Sequence, residues 1–153
     1  MFHIVLVEPE IPPNTGNISR TCAVTGTALH MVRPFGFSLG DKMLKRAGLD
    51  YWSSLELHYY DAFEEVEAAY PNARFFLTST HATRSYADVR YQDGDFIVFG
   101  KETAGLGKAL LSRREKDTIR IPMRPEQRSL NLSNSAAIVL YEALRQTGFP
   151  GLR

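Results

Sequence analysis

Cysteine is almost missing from this chain. Cys22 is the single one in 153 residues, which excludes an internal disulfide and a thiolate zinc cluster. The four histidines, His3, His30, His58 and His81, follow no metal-ligand spacing, so no metal is expected. No apolar run approaches the roughly 20 residues that span a bilayer. Met1 to Glu8 has neither a basic leader nor a small-residue cleavage site, and reads as a buried strand. These absences point to a cytoplasmic protein without a membrane partner. An excess of one charge is missing too: 18 Lys and Arg stand against 17 Asp and Glu, a net +1. Global charge therefore does not mark a nucleic-acid binder, and only its distribution can. Internal repeats, low-complexity stretches and linkers are absent, and residues 1–153 read as one domain.

What is present is an ordinary globular composition, 44% hydrophobic and 23% charged. Short apolar runs alternate with helix-like segments. Ile4–Val7, Ala28–Val32, Leu55–Tyr60, Arg74–Thr78, Phe96–Phe99 and Thr118–Ile121 read as strands. Asn17–Thr25, Lys42–Ala47, Ala62–Tyr70 and Ser133–Arg145 read as helices. The alternation predicts an α/β fold, a mostly parallel sheet with helices on both faces. Asp61 to Glu67 is acidic, whereas Lys42–Arg46 and Arg113–Arg128 are locally basic, which suits a structured RNA partner without requiring one.

Three loops carry candidate chemistry. Gly100-Lys101-Glu102-Thr103 follows a strand but is no phosphate loop. Gly94 lies one residue too far upstream, and Glu102 stands where a metal-binding hydroxyl belongs. Gly105-Leu-Gly107 opens like a dinucleotide fingerprint but lacks the third glycine. What remains is a glycine-bearing loop whose backbone can approach a ligand closely. Asn14-Thr-Gly16-Asn17-Ile-Ser-Arg20 follows the first strand and the proline-rich Glu8–Pro13. Asn17 is the expected N-cap, and Arg20 is placed in the first helical turn at the carboxyl edge of the sheet. The third loop is Ile121-Pro-Met123 through Ser129-Leu-Asn131-Leu-Ser133. It is long, proline-containing and polar, and it enters a helix rich in small residues, which marks a ligand loop.

Together the three loops resemble motifs 1, 2 and 3 of the SPOUT superfamily of RNA methyltransferases, in its TrmH-like branch. Order and spacing agree from Ile4 to about Gly151, and Arg46–Tyr51 and residues 91–95 add to the likeness. The resemblance implies a deep C-terminal trefoil knot, a homodimer and bound S-adenosyl-L-methionine. It implies 2′-O-methylation of the ribose at the wobble position, cytidine or uridine 34, of a tRNA held by its anticodon stem-loop. Two other readings are an enzyme acting on ribosomal RNA and a catalytically silent RNA-binding or assembly factor. A chain that begins directly with its first strand, with no appended RNA-binding domain, speaks for a small shaped target.

By position, the resemblance implies that Leu77, Thr78, Gly100, Glu102, Gly105, Ile121, Met123, Ser129, Leu130 and Asn131 line the cofactor pocket. Arg20, Asn17 and Ser133 form its catalytic set. A guanidinium stays protonated, so Arg20 is expected to clamp the phosphate beside the target ribose and stabilise the developing oxyanion. Lys42 and Arg46, which share a helix face with Lys45, and Arg124 and Arg128, which flank the third loop, are the expected RNA contacts.

Overall fold

The computed structural model describes residues 1–38 and 53–153. The elements run β1 (His3–Val7), α1 (Pro12–Thr25), β2 (Ala28–Val32), β3 (Leu57–Tyr60), α2 (Phe63–Ala69), β4 (Phe75–Thr78), β5 (Phe96–Phe99), α3 (Lys108–Arg113), β6 (Thr118–Ile119) and α4 (Leu132–Gln146). Single 3₁₀ turns sit at Tyr86–Asp88 and Glu115–Asp117. The six strands form one sheet in the order β3-β2-β1-β5-β4-β6. Every neighbouring pair is parallel.

The continuous apolar runs follow from burial on both faces. Successive side chains of a strand point to opposite faces, so each strand supplies two cores. Ile4, Leu6, Ile97 and Phe99 join one core, which α1 and α4 complete with Ile18, Cys22, Val139 and Leu140. Val5, Phe96 and Val98 join the other, beneath Phe63 and Val66 of α2 and Leu110 and Leu111 of α3. Cys22 is a fully buried small hydrophobe, and burial pushes its thiol well above the usual range.

Helix α1 differs from expectation. It begins at Pro12, not at Asn17, with Ile11 as the N-cap residue. Pro12 and Pro13 open it. They occupy the first helical turn, where a missing N–H costs nothing because it would have no intrahelical partner. Asn17 is consequently inside the helix, and Arg20 lies beyond the first turn. The expected helix Lys42–Ala47 falls outside the described residues.

Strand order reverses between β1 and β5. From β1 the chain winds outward to β2 and β3, while β5, β4 and β6 lie on the other side. Open parallel sheets bind ligands outside the carboxyl ends of strands at such a reversal. The chain leaves β1 there through Glu8, a non-glycine residue at φ +55°, and leaves β5 through Gly100.

Candidate functional site

A cleft of about 610 Å³ opens at those carboxyl ends. Three segments wall it. The first is the start of α1, with Ile11 and Asn14. The second is the loop from Gly100 to Lys108. The third runs from Ile121 to the first turn of α4. Thr78, the last residue of β4, and Ser79 to His81 after it close the rim.

The loop after β5 can exist only because position 100 is glycine. A Cβ there would lie 2.1 Å from the carbonyl carbon of Gly105 and 2.2 Å from the nitrogen of Leu106. The loop folds back on itself, with the Gly105 N–H donating to the Lys101 carbonyl at 2.8 Å. Gly105 makes the turn at φ +66°, a conformation that other residues rarely adopt.

Two carboxylates lock this loop onto the segment after β1. Glu102 accepts the backbone N–H groups of Glu10 and Ile11, each at 2.8 Å, and the Asn14 Nδ2 donor at 3.2 Å. It therefore serves as the cap that α1 lacks from its own sequence, and its negative charge faces the positive end of the helix dipole. In return, Glu10 accepts the N–H and hydroxyl of Thr103 at 3.0 and 2.8 Å. These bonds, the backbone one foremost, hold the Glu10 carboxyl below the usual carboxylate range.

Asn14 joins the third segment to the other two. Its Nδ2 faces an acceptor-only carboxylate, which leaves Oδ1 to take the Asn131 Nδ2 donor at 3.1 Å. Asn131 is the N-cap of α4, and its Oδ1 accepts the N–H groups of Ser133 and Asn134 at 2.9 and 3.2 Å. Each amide can therefore take one orientation only. The chain Glu102–Asn14–Asn131 ties together segments that lie 88 and 117 residues apart.

Nine residues expected around the cofactor come together in this cleft: Thr78, Gly100, Glu102, Gly105, Ile121, Met123, Ser129, Leu130 and Asn131. Leu77 does not. It is fully buried in the core beneath α2, because the pleat turns it to the opposite face from Phe76. Of the expected catalytic set, Arg20 and Asn17 lie on the exposed side of α1, away from the cleft lining. The Ser133 hydroxyl donates to Asn131 Oδ1 at 2.6 Å, so it supports the cap. Arg128 lines the cleft, whereas Arg124 is exposed, 3.9 Å from Glu126. Lys42 and Arg46 lie outside the described residues. Among the described residues, no group of His, Cys, Asp and Glu is placed to hold a metal ion.

Sequence reasoning missed Asn14, Glu10, Thr103, Lys101 and Lys108. Asn14 had a signal: a Pro-Pro pair read as the first helical turn would have put it, rather than Asn17, at the mouth of the site. His81 is exposed and lies on the cleft rim.

The likenesses to known proteins agree with this geometry. A tRNA (cytidine(34)-2′-O)-methyltransferase of Escherichia coli K12 is 52% identical over 155 residues, covering 99% of this chain and 97% of that protein. A solved structure described as giving insights into the 2-OH methylation of C/U34 on tRNA superposes with a TM-score of 0.91 at 44% identity. It covers 97% of both chains. The SpoU methyltransferase AviRb of Streptomyces viridochromogenes, solved with the cofactor AdoMet, superposes with a TM-score of 0.84 at 26% identity, over 99% of this chain and 58% of that one. The model of the SpoU rRNA Methylase family matches residues 1–141, a span that holds all three walls of the cleft, and the chain belongs to that family.

Proposed function

We propose that this chain is a tRNA ribose methyltransferase that methylates the 2′-hydroxyl of nucleotide 34, cytidine or uridine, from S-adenosyl-L-methionine. The observation that carries the reading is the three-walled cleft with its Glu102–Asn14–Asn131 link, in a chain about half identical over its full length to a tRNA (cytidine(34)-2′-O)-methyltransferase.

The residues present suit adenosylmethionine. About 610 Å³ is within the range of small-molecule sites, roughly 300–1,000 Å³. Ile121, Met123, Leu106 and Leu130 offer apolar walls for a purine, and the glycine loop turns backbone groups toward it. When bound, the cofactor supplies an electrophilic methyl group to an attacking ribose hydroxyl. The chain's own contribution is alignment. Asn14, Glu102 and Asn131 fix the walls, and the start of α4 presents its N-terminal turn to the cleft.

Arg20 binds the phosphate next to the target ribose and stabilises the developing oxyanion, with Asn17 beside it on the same helix face. Both lie outside the cleft of their own chain, and in this reading the second copy of a homodimer brings them to it. Exposed Val24 on α1 and exposed Ile138 and Tyr141 on α4 offer apolar surface for such a homodimer. Ser133 acts through the cap of α4. The trefoil knot implied by the resemblance, the anticodon stem-loop as the element gripped and a cytoplasmic place of action belong to this reading. No described helix is long and apolar enough to cross a membrane.

Incubation with labelled S-adenosylmethionine and total RNA, followed by mapping of the methylated ribose, tests the reading. Label at nucleotide 34 of tRNA is expected. Label confined to ribosomal RNA, or none despite measurable cofactor binding, would overturn it.

A further inference from the structure

A second cleft, of about 390 Å³, opens at the opposite end of the sheet, at the amino ends of β4 and β6. Four of its lining side chains are cationic: Arg74, Arg84, Arg114 and Lys116. Asp117 is the one acid among them. Two of the cations are already neutralised. Arg74 pairs with Asp95 at 2.6 Å, and Arg114 pairs with Glu67 at 2.6 Å and Asp117 at 2.9 Å. Arg84 and Lys116 pair with no carboxylate among the described residues.

Arg84 is nonetheless held in place. Its guanidinium lies 5.7 Å from the centre of the Phe76 ring, which Arg74 also approaches at 5.1 Å. One of its five N–H donors goes to the Lys116 carbonyl at 3.2 Å. The other donors remain for a ligand. A stacked, part-ordered guanidinium beside an ammonium suits a phosphate oxygen, because little side-chain freedom is left to lose on binding.

The positive charge continues toward the cofactor cleft. Arg120 follows β6, and its backbone N–H donates to the Arg84 carbonyl at 2.9 Å. The next residue, Ile121, lines the cofactor cleft, where Arg128 adds a further cation. Strand β4 spans the same distance: Phe75 lines the basic cleft and Thr78 the cofactor cleft, about 10 Å apart at the usual rise per residue. A ligand meeting both ends must be a polyanion with phosphates repeated along its length.

We infer that this basic cleft is a second anchor for the RNA substrate, binding backbone phosphates through Arg84 and Lys116 away from the methylated ribose. The inference rests on the RNA methyltransferase reading. It names a contact that lies outside the methyl-transfer cleft and adds register and affinity rather than chemistry.

The test uses the full chain and its Arg84→Gln/Lys116→Gln double variant. Filter binding to bulk tRNA is measured across a salt series, beside methyl-transfer kinetics and calorimetric binding of S-adenosylmethionine. Removing two phosphate contacts should weaken tRNA binding about ten-fold near 0.15 M salt and make the log–log salt slope shallower by about 1.5. KM for tRNA should rise while kcat at saturation and cofactor affinity stay unchanged. Arg84→Lys in an otherwise native chain, which keeps the charge, should retain most of the affinity. An unchanged tRNA affinity and slope overturn the anchor, as does a parallel loss of cofactor binding or melting temperature, which would make the two residues structural. If the native chain binds tRNA but transfers no methyl group, the function proposed above falls while the salt-slope result still decides the anchor.

Discussion

The Asn14 side chain donates to the Glu102 carboxylate at 3.2 Å, and that carboxylate also accepts the backbone N–H of Ile11 at 2.8 Å. A carboxylate from one loop thus caps a helix that begins 90 residues earlier in the chain. Both oxygens meet donors only. In Glu102→Gln one oxygen becomes an NH₂ group facing donors, which leaves an N–H at the helix start unsatisfied. We predict a loss of about 1–3 kcal/mol in stability, read by thermal or denaturant unfolding. Cofactor affinity, read by calorimetry, falls with it. A variant as stable as the native chain would show that the cap is not needed.

Asn14→Asp makes the complementary test. The substitution is nearly isosteric but sets a second carboxylate against Glu102. Like charges so close cannot both ionise without cost, so one of the two is expected to titrate well above the ordinary carboxylate range. The variant should unfold more easily than Asn14→Ala at pH 7, and the gap between the two should narrow as pH falls toward 5. A pH-independent gap would show that the defect is not electrostatic.

Gly100→Ala adds one methyl group where no space exists, 2.1 Å from the Gly105 carbonyl carbon. Backbone, not a flexible side chain, is the obstacle, so the loop itself must move. Cofactor affinity should fall at least about ten-fold, and because the Leu106 nitrogen is the other atom struck and Leu106 belongs to the core under α2 and α3, thermal stability should fall with it. Calorimetry and thermal unfolding read the two effects separately.

Much of this architecture is legible in the sequence because both faces of the sheet are buried. Ala28–Val32 and Phe96–Phe99 are continuous apolar runs, and their bounds emerge in the structure as read. The start of α1 was misplaced for a local reason: Pro-Pro suits an extended segment and a first helical turn equally well. Asn14 escaped notice because its partners, Glu102 and Asn131, are remote in sequence, and hydrogen-bond partners at that distance leave no periodicity to read. The same holds for the basic cleft. Arg113 and Arg114 dominate the basic stretch of the sequence, yet Glu67 holds both at 2.7 and 2.6 Å. Arg84, which lies outside that stretch, pairs with no carboxylate among the described residues.

Arg20→Lys separates a bidentate phosphate clamp from a simple positive charge. Lysine keeps the charge but not the planar fork. Turnover at saturating tRNA should fall about 100-fold, with the cofactor dissociation constant unchanged, because the role proposed for Arg20 is to hold the RNA phosphate and the oxyanion rather than the cofactor. Near-native turnover would make the bidentate role untenable.

The histidines on the other face predict an acid limit to stability. His3 Nδ1 and His30 Nε2 lie 2.9 Å apart, and His30 Nδ1 is 2.9 Å from the Tyr60 hydroxyl. His58, itself paired with Glu56 at 3.0 Å, stacks on His30 with ring centres 5.0 Å apart, and Tyr70 meets the His30 ring edge-on. Burial is the main force that lowers His3 to about 4 and His30 to about 3. A ring nitrogen facing another ring nitrogen needs at least one neutral partner. Both folded-state values are depressed below the unfolded value near 6.5, so the unfolded chain binds more protons below that pH. Stability from this pair is fully present above about pH 6.5 and is lost as pH falls from there toward 4. Replacing His30 with Gln should flatten the dependence of unfolding free energy on pH between 6.5 and 4, whatever it does to stability at pH 7.5. An unchanged slope in that window would place the acid sensitivity in the carboxylate pairs instead, of which Glu67 with Arg113 and Arg114 is the first to examine.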